Sequence, residues 1–240
     1  MSTEGRHRLE IVQFGRRMHE QGFVAATDGN LSIRLDDDRL LITPTGMSKG
    51  NMRASDLVIV DMKGNVVAGK RKVSSEIGMH LLIYRLRPDV GGIAHAHPPT
   101  ATGFAASGFG LSRPLVCEVV VGLGSVPLAR YGTPGTAELS EALEPLIPGH
   151  DAILMANHGV VTFGPTLENA FMKMETVEHF AKIALVTHLL GHEQPLGAKE
   201  VAKLIEVRDR YNGGRTALTA VSTSHQAVAP RPKDRVSEPQ

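Results

Sequence analysis

Between Arg6 and Gln21 the apolar residues Leu9, Val12, Phe14 and Met18 recur among charged ones close to helical spacing, and Gly22 supplies a stop. This predicts an opening amphipathic helix. After the loop Ala26-Thr27-Asp28-Gly29-Asn30 the period changes. Leu31-Ser32-Ile33-Arg34-Leu35 alternates apolar with polar and predicts a half-buried strand, Asp36-Asp37-Asp38 a turn, and Arg39 to Thr43 the returning strand. Pro44-Thr45-Gly46-Met47-Ser48-Lys49-Gly50 is a loop by turn chemistry. Leu57 to Val60 and Val66 to Ala68 predict a hairpin around Lys63-Gly64-Asn65. Ser74-Ser75-Glu76 then opens a helix carrying Ile77, Met79, Leu81, Leu82 and Tyr84, with hydroxyl capping at its start and Pro88 as its stop.

Gly91 to His97 reads as a strand, followed by a helical or loop stretch from Thr100 to Gly110. Leu115 to Val121 and the Val126 region read as strands, and Glu138 to Leu146 as a helix behind the cap Thr136. Ala152 to Ala156 is a further strand. The longest helix starts at Pro165-Thr166 and buries Leu167, Ala170, Phe171, Met174, Val177, Phe180, Ala181 and Ala184. A last helix covers Gly197 to Tyr211. The strands come in hairpin-like pairs only sometimes separated by helices, which predicts an α+β fold with a largely antiparallel sheet. No repeat or shift in composition divides residues 1–212. Residues 213–240, rich in Ala, Ser, Thr and Pro, are expected to be a mobile tail.

Composition narrows the function classes. A chain of 240 residues that is 42% hydrophobic and 21% charged can build a sizeable core. Its net charge of +1 and its lack of a basic block argue against a nucleic-acid partner. No apolar run approaches the roughly 20 residues that span a bilayer. One cysteine, Cys117, excludes an intrachain disulfide, and the polar Ser-Thr-Glu-Gly after Met1 is no export signal, so a cytoplasmic protein is expected.

The chemistry concentrates at strand ends. In Gly91-Gly92-Ile93-Ala94-His95-Ala96-His97-Pro98 two imidazoles sit on the same strand face, and Pro98 ends the strand. His158, in Asn157-His158-Gly159, ends another apolar run. Three histidines and a position left for water or substrate suit a catalytic divalent ion, although a lone His-x-His serves equally as a structural pair. Glu76 is the natural fourth member, as ligand or as base, and also has a bland reading as an acid favouring a helix dipole. Ser74 and Ser75 before a helix, with Asn30 and Thr45-Gly46 in their loops, form a candidate phosphate site. Glu175 and His179 read as a solvated helix face. His7, His19, His80, His150, His188, His192 and His225 lack matching partners, and Cys117 lacks a nucleophile signature.

Taken in order, Gly29-Asn30-Leu31-Ser32, Thr43-Pro44-Thr45-Gly46, Ser74-Ser75-Glu76, His95-Ala96-His97-Pro98 and Asn157-His158-Gly159 resemble the class II aldolase and adducin family, in particular its L-fuculose-1-phosphate aldolases, over about residues 7–212. The resemblance implies a single three-layer αβα domain around a mainly antiparallel sheet, assembled as a homotetramer with active sites at subunit boundaries. It implies one divalent metal per subunit, zinc first, with manganese, cobalt or iron as alternatives, held by His95, His97, His158 and Glu76. Asn30, Thr45, Gly46, Ser74 and Ser75 would hold the phosphate of a small sugar.

The implied reaction is retro-aldol cleavage of a ketose 1-phosphate to dihydroxyacetone phosphate and an aldehyde, with Glu76 shuttling the proton of the enediolate and no Schiff-base role for Lys49. The sequence departs from the fuculose-phosphate pattern where those enzymes have a tyrosine, since that position falls at Cys117-Glu118. Glu118 and Tyr131 are the candidates to replace it, and Tyr211 matches a second family tyrosine near the chain end. The apolar Leu115, Val116 and Val119 around the gap point to a deoxy or alkylthio pentulose. A decarboxylase or a 4-epimerase would use the same groups. A non-enzymatic adducin-like binding module would not need the histidines and the acid.

Overall fold

The computed structural model describes residues 2–211, so the expected tail at 213–240 lies outside the described residues. Helix α1, Thr3–Glu20, starts where the Ser2 hydroxyl accepts the Gly5 N–H and buries Ile11, Phe14 and Met18. Strands β1 (Asn30–Arg34), β2 (Arg39–Ile42), β3 (Val58–Asp61) and β4 (Val66–Ala68) follow as an antiparallel meander. Then come α2 (Ile77–Leu86), β5 (Gly92–Ala96), α3 (Pro99–Ala106), α4 (Cys117–Gly122), β6 (Leu128–Ala129), α5 (Ala137–Leu143), β7 (Ala152–Met155), β8 (Gly159–Gly164), α6 (Leu167–Leu190) and α7 (Ala198–Tyr211). The eight strands form one sheet in the order β4-β3-β2-β1-β5-β8-β7-β6. Every pairing is antiparallel except that of β6 with β7, so the sheet is mixed.

The two-residue period of each strand sorts its side chains between two cores. Leu31, Ile33, Leu41, Ile59, Ala94, Ala96, Leu154 and Val160 face α1, α3 and α6, where they meet Phe14, Phe171 and Met174. The alternate residues Leu40, Ile42, Val58, Val60, Ile93, Ile153, Val161 and Phe163 face α2 and α5, where they meet Met79, Ile83, Leu139 and Leu143. Helices on both faces of a mainly antiparallel sheet give the expected αβα sandwich. Among the described residues no helix is long and apolar enough to cross a membrane.

Three readings are corrected. Leu115 to Val121 is not a strand: its β-branched run forms α4, because Val119 packs into the main core while Val120 packs against Val201 of α7. Packing on both sides of a short helix overrides β propensity there. Val126 makes only an isolated bridge to Leu111, and the strand lies at β6. β1 is not half-buried, since Asn30 and Ser32 are covered by α2 as completely as Leu31 and Ile33 are on the other face.

Candidate active site

Strand direction alone collects the candidate residues. β5 and β7 both run antiparallel to β8, so their carboxyl ends, leading to His95-His97 and to His158, share one edge of the sheet. β1 runs antiparallel to β5 with Asn30 opposite His95, which puts its amino end there. β2 returns to the same edge and enters Thr43-Pro44-Thr45-Gly46. Pro44 then bridges to Val73, and the Thr45 N–H donates to the Lys72 carbonyl at 3.0 Å, drawing the Thr45-Gly46 turn beside Ser74 and Ser75.

The side chains converge accordingly. His95, His97 and His158 bring one ring nitrogen each within 4.8 Å of one another. His95 Nε2 lies 3.2 Å from His97 Nε2 and 3.1 Å from Glu76 Oε2, and His158 Nε2 lies 3.2 Å from Glu76 Oε1. Local backbone chemistry sets these positions. The His95 Nδ1–H donates to the Val160 carbonyl across the β5–β8 ladder at 2.9 Å, which turns the Nε2 lone pair into the cluster. Asn157 occupies the left-handed region at φ 56°, which asparagine tolerates, and so allows the β7–β8 turn that presents His158. Glu76 precedes α2 and makes no side-chain cap bond; its carboxylate turns into the cluster instead of serving the helix dipole.

The electrostatics match a cation site. Burial would raise the Glu76 carboxyl, but the His95 and His158 imidazoles outweigh it and hold the group well below the usual carboxylate range. His95 is buried, which would lower it, yet the Glu76 carboxylate and the Val160 carbonyl hold it above an ordinary histidine. Burial, then the neighbouring His95 and His158, push His97 down to about 4. Two further atoms, Glu76 Oε1 and His158 Nδ1, are buried without a hydrogen-bond partner. Three imidazoles and one carboxylate, one of whose oxygens has no hydrogen-bond partner, therefore fit a divalent ion of the borderline-soft kind.

The remaining candidates divide. Ser74 is buried and its hydroxyl accepts the Glu76 N–H at 3.3 Å, whereas Thr45, Gly46 and Ser75 are exposed. Both serines precede the first turn of α2 rather than lying in it. The Asn30 amide is committed to protein partners: Nδ2 donates to Glu76 Oε2 at 2.7 Å and Oδ1 faces His80. Glu118, in the first turn of α4, and Tyr131, beyond β6, are exposed and take no part in the cluster's hydrogen bonds or ion pairs. Because β6 runs parallel to β7, Tyr131 nonetheless lies beyond the same sheet edge as His158. Tyr211 is the last residue of α7, and its side chain lies outside the described residues. Glu175 is not merely solvated, since it accepts hydrogen bonds from Arg17 and Gln21 of the α1 region.

Sequence reasoning missed His80, which is fully buried and bonded to Asn30 and Ser32. The signal was its spacing, four residues beyond Glu76 and four before Tyr84, which puts the three near one helix face. Lys49 was set aside as a nucleophile, and the structure shows a different use for it. Its buried ammonium donates to the Thr27 and Met47 carbonyls, both at 2.7 Å, and so ties the loop before β1 to the Thr45-Gly46 loop.

Residues 9–185 match the family described as the class II aldolase and adducin N-terminal domain. A 5-deoxy-D-ribulose 1-phosphate aldolase of Bacillus thuringiensis serovar kurstaki is 34% identical over 86% of this chain and 97% of its own. A 3-oxo-tetronate 4-phosphate decarboxylase of Pectobacterium atrosepticum is 37% identical over 78% of this chain and 87% of its own. Among solved structures, an L-fuculose 1-phosphate aldolase superposes with a TM-score of 0.79 at 33% identity, covering 86% of this chain and 97% of that one.

Proposed function

Because this chain belongs to the class II aldolase and adducin family, we propose that it is a divalent-metal-dependent aldolase that cleaves a small ketose 1-phosphate to dihydroxyacetone phosphate and an aldehyde. The observation that carries this reading is the convergence of His95, His97 and His158 on the buried Glu76 carboxylate, at the edge where the Thr45-Gly46 and Ser74-Ser75 loops meet. His95, His97, His158 and Glu76 would hold the ion, zinc by its donor set. A divalent ion bound there supplies Lewis-acid stabilisation of the enediolate charge that develops as the carbon–carbon bond breaks.

The chain's own groups do the rest. Thr45, Gly46, Ser74 and Ser75 offer hydroxyls and backbone N–H groups to the phosphate, and that binding places the reacting carbons. Glu76, with one oxygen held by Asn30, carries the proton to or from the enediolate carbon. Proton transfer at the aldehyde end falls to Glu118 or Tyr131, and Tyr211 serves the same end in the family resemblance. An apolar sugar terminus agrees with the deoxypentulose substrate in the name of the Bacillus relative, although Val119 itself packs into the core. Exposed Leu185, Val186, Leu189 and Leu190 at the end of α6 support assembly into a homotetramer.

A second reading, decarboxylation of a 3-oxo acid phosphate, is favoured by the Pectobacterium relative and would use the same enolate chemistry. One assay separates the two. Zinc-loaded protein is incubated with 5-deoxyribulose 1-phosphate and, separately, with 3-oxo-tetronate 4-phosphate, while dihydroxyacetone phosphate and carbon dioxide are measured independently. Triose phosphate from the first substrate is the expected result. Carbon dioxide from the second, with no triose phosphate from the first, overturns the proposal in favour of the decarboxylase.

A further inference from the structure

Behind Glu76 lies a run of polar side chains that the reaction does not use directly. Glu76 stands at the start of α2, and His80 and Tyr84 follow at one-turn intervals. Asn30 and Ser32 are the β1 residues facing that helix, since Leu31 and Ile33 face the other core. Four contacts join them in series. Glu76 Oε2 lies 2.7 Å from Asn30 Nδ2, Asn30 Oδ1 lies 2.5 Å from His80 Nε2, His80 Nδ1 lies 2.6 Å from Ser32 Oγ, and Ser32 Oγ lies 2.9 Å from the Tyr84 hydroxyl. Ser32 and His80 are fully buried, and Tyr84 and Asn30 are 1% and 3% exposed.

The sense of every bond follows from its ends. An ionised carboxylate only accepts, so Asn30 must present its NH₂ group to Glu76 and its carbonyl to His80. His80 must then donate from Nε2. Burial pushes His80 down to about 3, so it is neutral and carries a single ring proton. Nδ1 is therefore an acceptor, Ser32 donates to it, and Tyr84 donates to Ser32. The opposite sense would set the Asn30 carbonyl against the carboxylate, acceptor on acceptor. The far end is anchored as well. The Arg34 guanidinium lies 4.7 Å from the Tyr84 ring centroid and donates to the Tyr84 carbonyl at 2.6 Å.

We infer that His80 is a positioning residue for Glu76: Tyr84, Ser32, His80 and Asn30 form a one-way hydrogen-bond chain that pins Glu76 Oε2 beside His95 and so fixes how the carboxylate, with its unpartnered Oε1 beside His158, is presented to the cluster. A chain with one allowed sense cannot be reversed at a single link, so the amide of Asn30 and the tautomer of His80 are fixed together. The inference rests on the proposed function only for what Glu76 does in the reaction; the direction of the chain is independent of it.

Two measurements on the full-length, zinc-loaded protein test it. A long-range proton–nitrogen NMR correlation spectrum, with the His80 ring identified by its loss in His80→Gln, should show a proton on Nε2 and a bare Nδ1. A proton on Nδ1 overturns the chain whatever reaction the enzyme performs. In kinetics with 5-deoxyribulose 1-phosphate, or with whichever substrate the product assay selects, His80→Leu should lower kcat about 10- to 100-fold with KM and zinc content unchanged. His80→Gln, which restores a donor toward Asn30, should recover most of that loss. Equal losses in the two variants, or a loss that appears in KM or zinc content alone, would show that His80 merely fills the core.

Discussion

Individual residues carry the cluster's charge balance. Burial would lower His95, but the Glu76 carboxylate beside it holds its proton affinity above that of an ordinary histidine. A divalent ion binds the neutral imidazole, so metal affinity falls as the pH is lowered and the histidines take up protons. His97, pushed down to about 4 by burial and its imidazole neighbours, stays neutral over the same range and opposes the metal only in stronger acid. Dialysis of zinc-loaded protein at pH 8 and at pH 5 should show retention at the first and release at the second, by elemental analysis. Equal retention would remove His95 from the ligand set. Lys49 is pushed down to about 8 by burial from 10.5. Below pH 8 its ammonium is charged in both the folded and unfolded chains, and the folded chain bears the full cost of burying it. Between about 8 and 10.5 the unfolded chain keeps the proton that the folded one gives up, so stability from this residue rises with pH. Urea unfolding should show that rise in the parent and not in Lys49→Met. The clustering of His95 and His97 was legible from spacing because a strand's period decides which side chains share a face. The use of His80 was not, because its partners come from β1, 48 and 50 residues away.

At the level of elements, the histidine turns depend on close backbone approach. A Cβ on Gly159 would lie 2.6 Å from the Ala96 carbonyl oxygen and would press on the His97 ring. Gly29, at φ 71°, would place one 2.7 Å from the His95 carbonyl oxygen. Gly159→Ala should therefore lower zinc content by moving His97 while leaving the helical circular-dichroism signal intact; full zinc retention would mean that β5 and β8 can part without cost to the site. Most elements were legible because hydrophobic periodicity and turn residues agree along them. α4 was not, since Val119 and Val120 look like strand residues until α7 is seen to cover one of them. The paired serines were displaced by a similar local effect, with Glu76 taking the first helical boundary position and Ser74 folding back to cap its N–H.

Across the whole molecule the two edges of the sheet do different work. The edge with the carboxyl ends of β5 and β7 gathers the histidines, Glu76 and the Thr45-Gly46 and Ser74-Ser75 loops. The opposite edge is held by Arg87, which pairs with both oxygens of Asp89 and with Asp151 at 2.8 Å and donates to the Ile147 carbonyl. Lys173 of α6 completes it, donating to Asp151 and to the Phe163 carbonyl. Asp151 keeps Lys173 and Asp89 is exposed, so Arg87→Met should cost only about 2 kcal/mol of stability, chiefly through the lost charged hydrogen bonds. Its zinc content and KM should stay unchanged, and a loss of zinc would show the two edges to be coupled. The mainly antiparallel sheet was legible from hairpin pairing and the αβα layering from the family resemblance, while the polarity of β1 misled because both of its faces are covered. The most direct test of the central claim is dihydroxyacetone phosphate release from 5-deoxyribulose 1-phosphate as zinc is titrated into chelator-stripped protein. The account predicts no release without metal and a rate that rises with bound zinc to one ion per chain; full turnover by the stripped protein would contradict it.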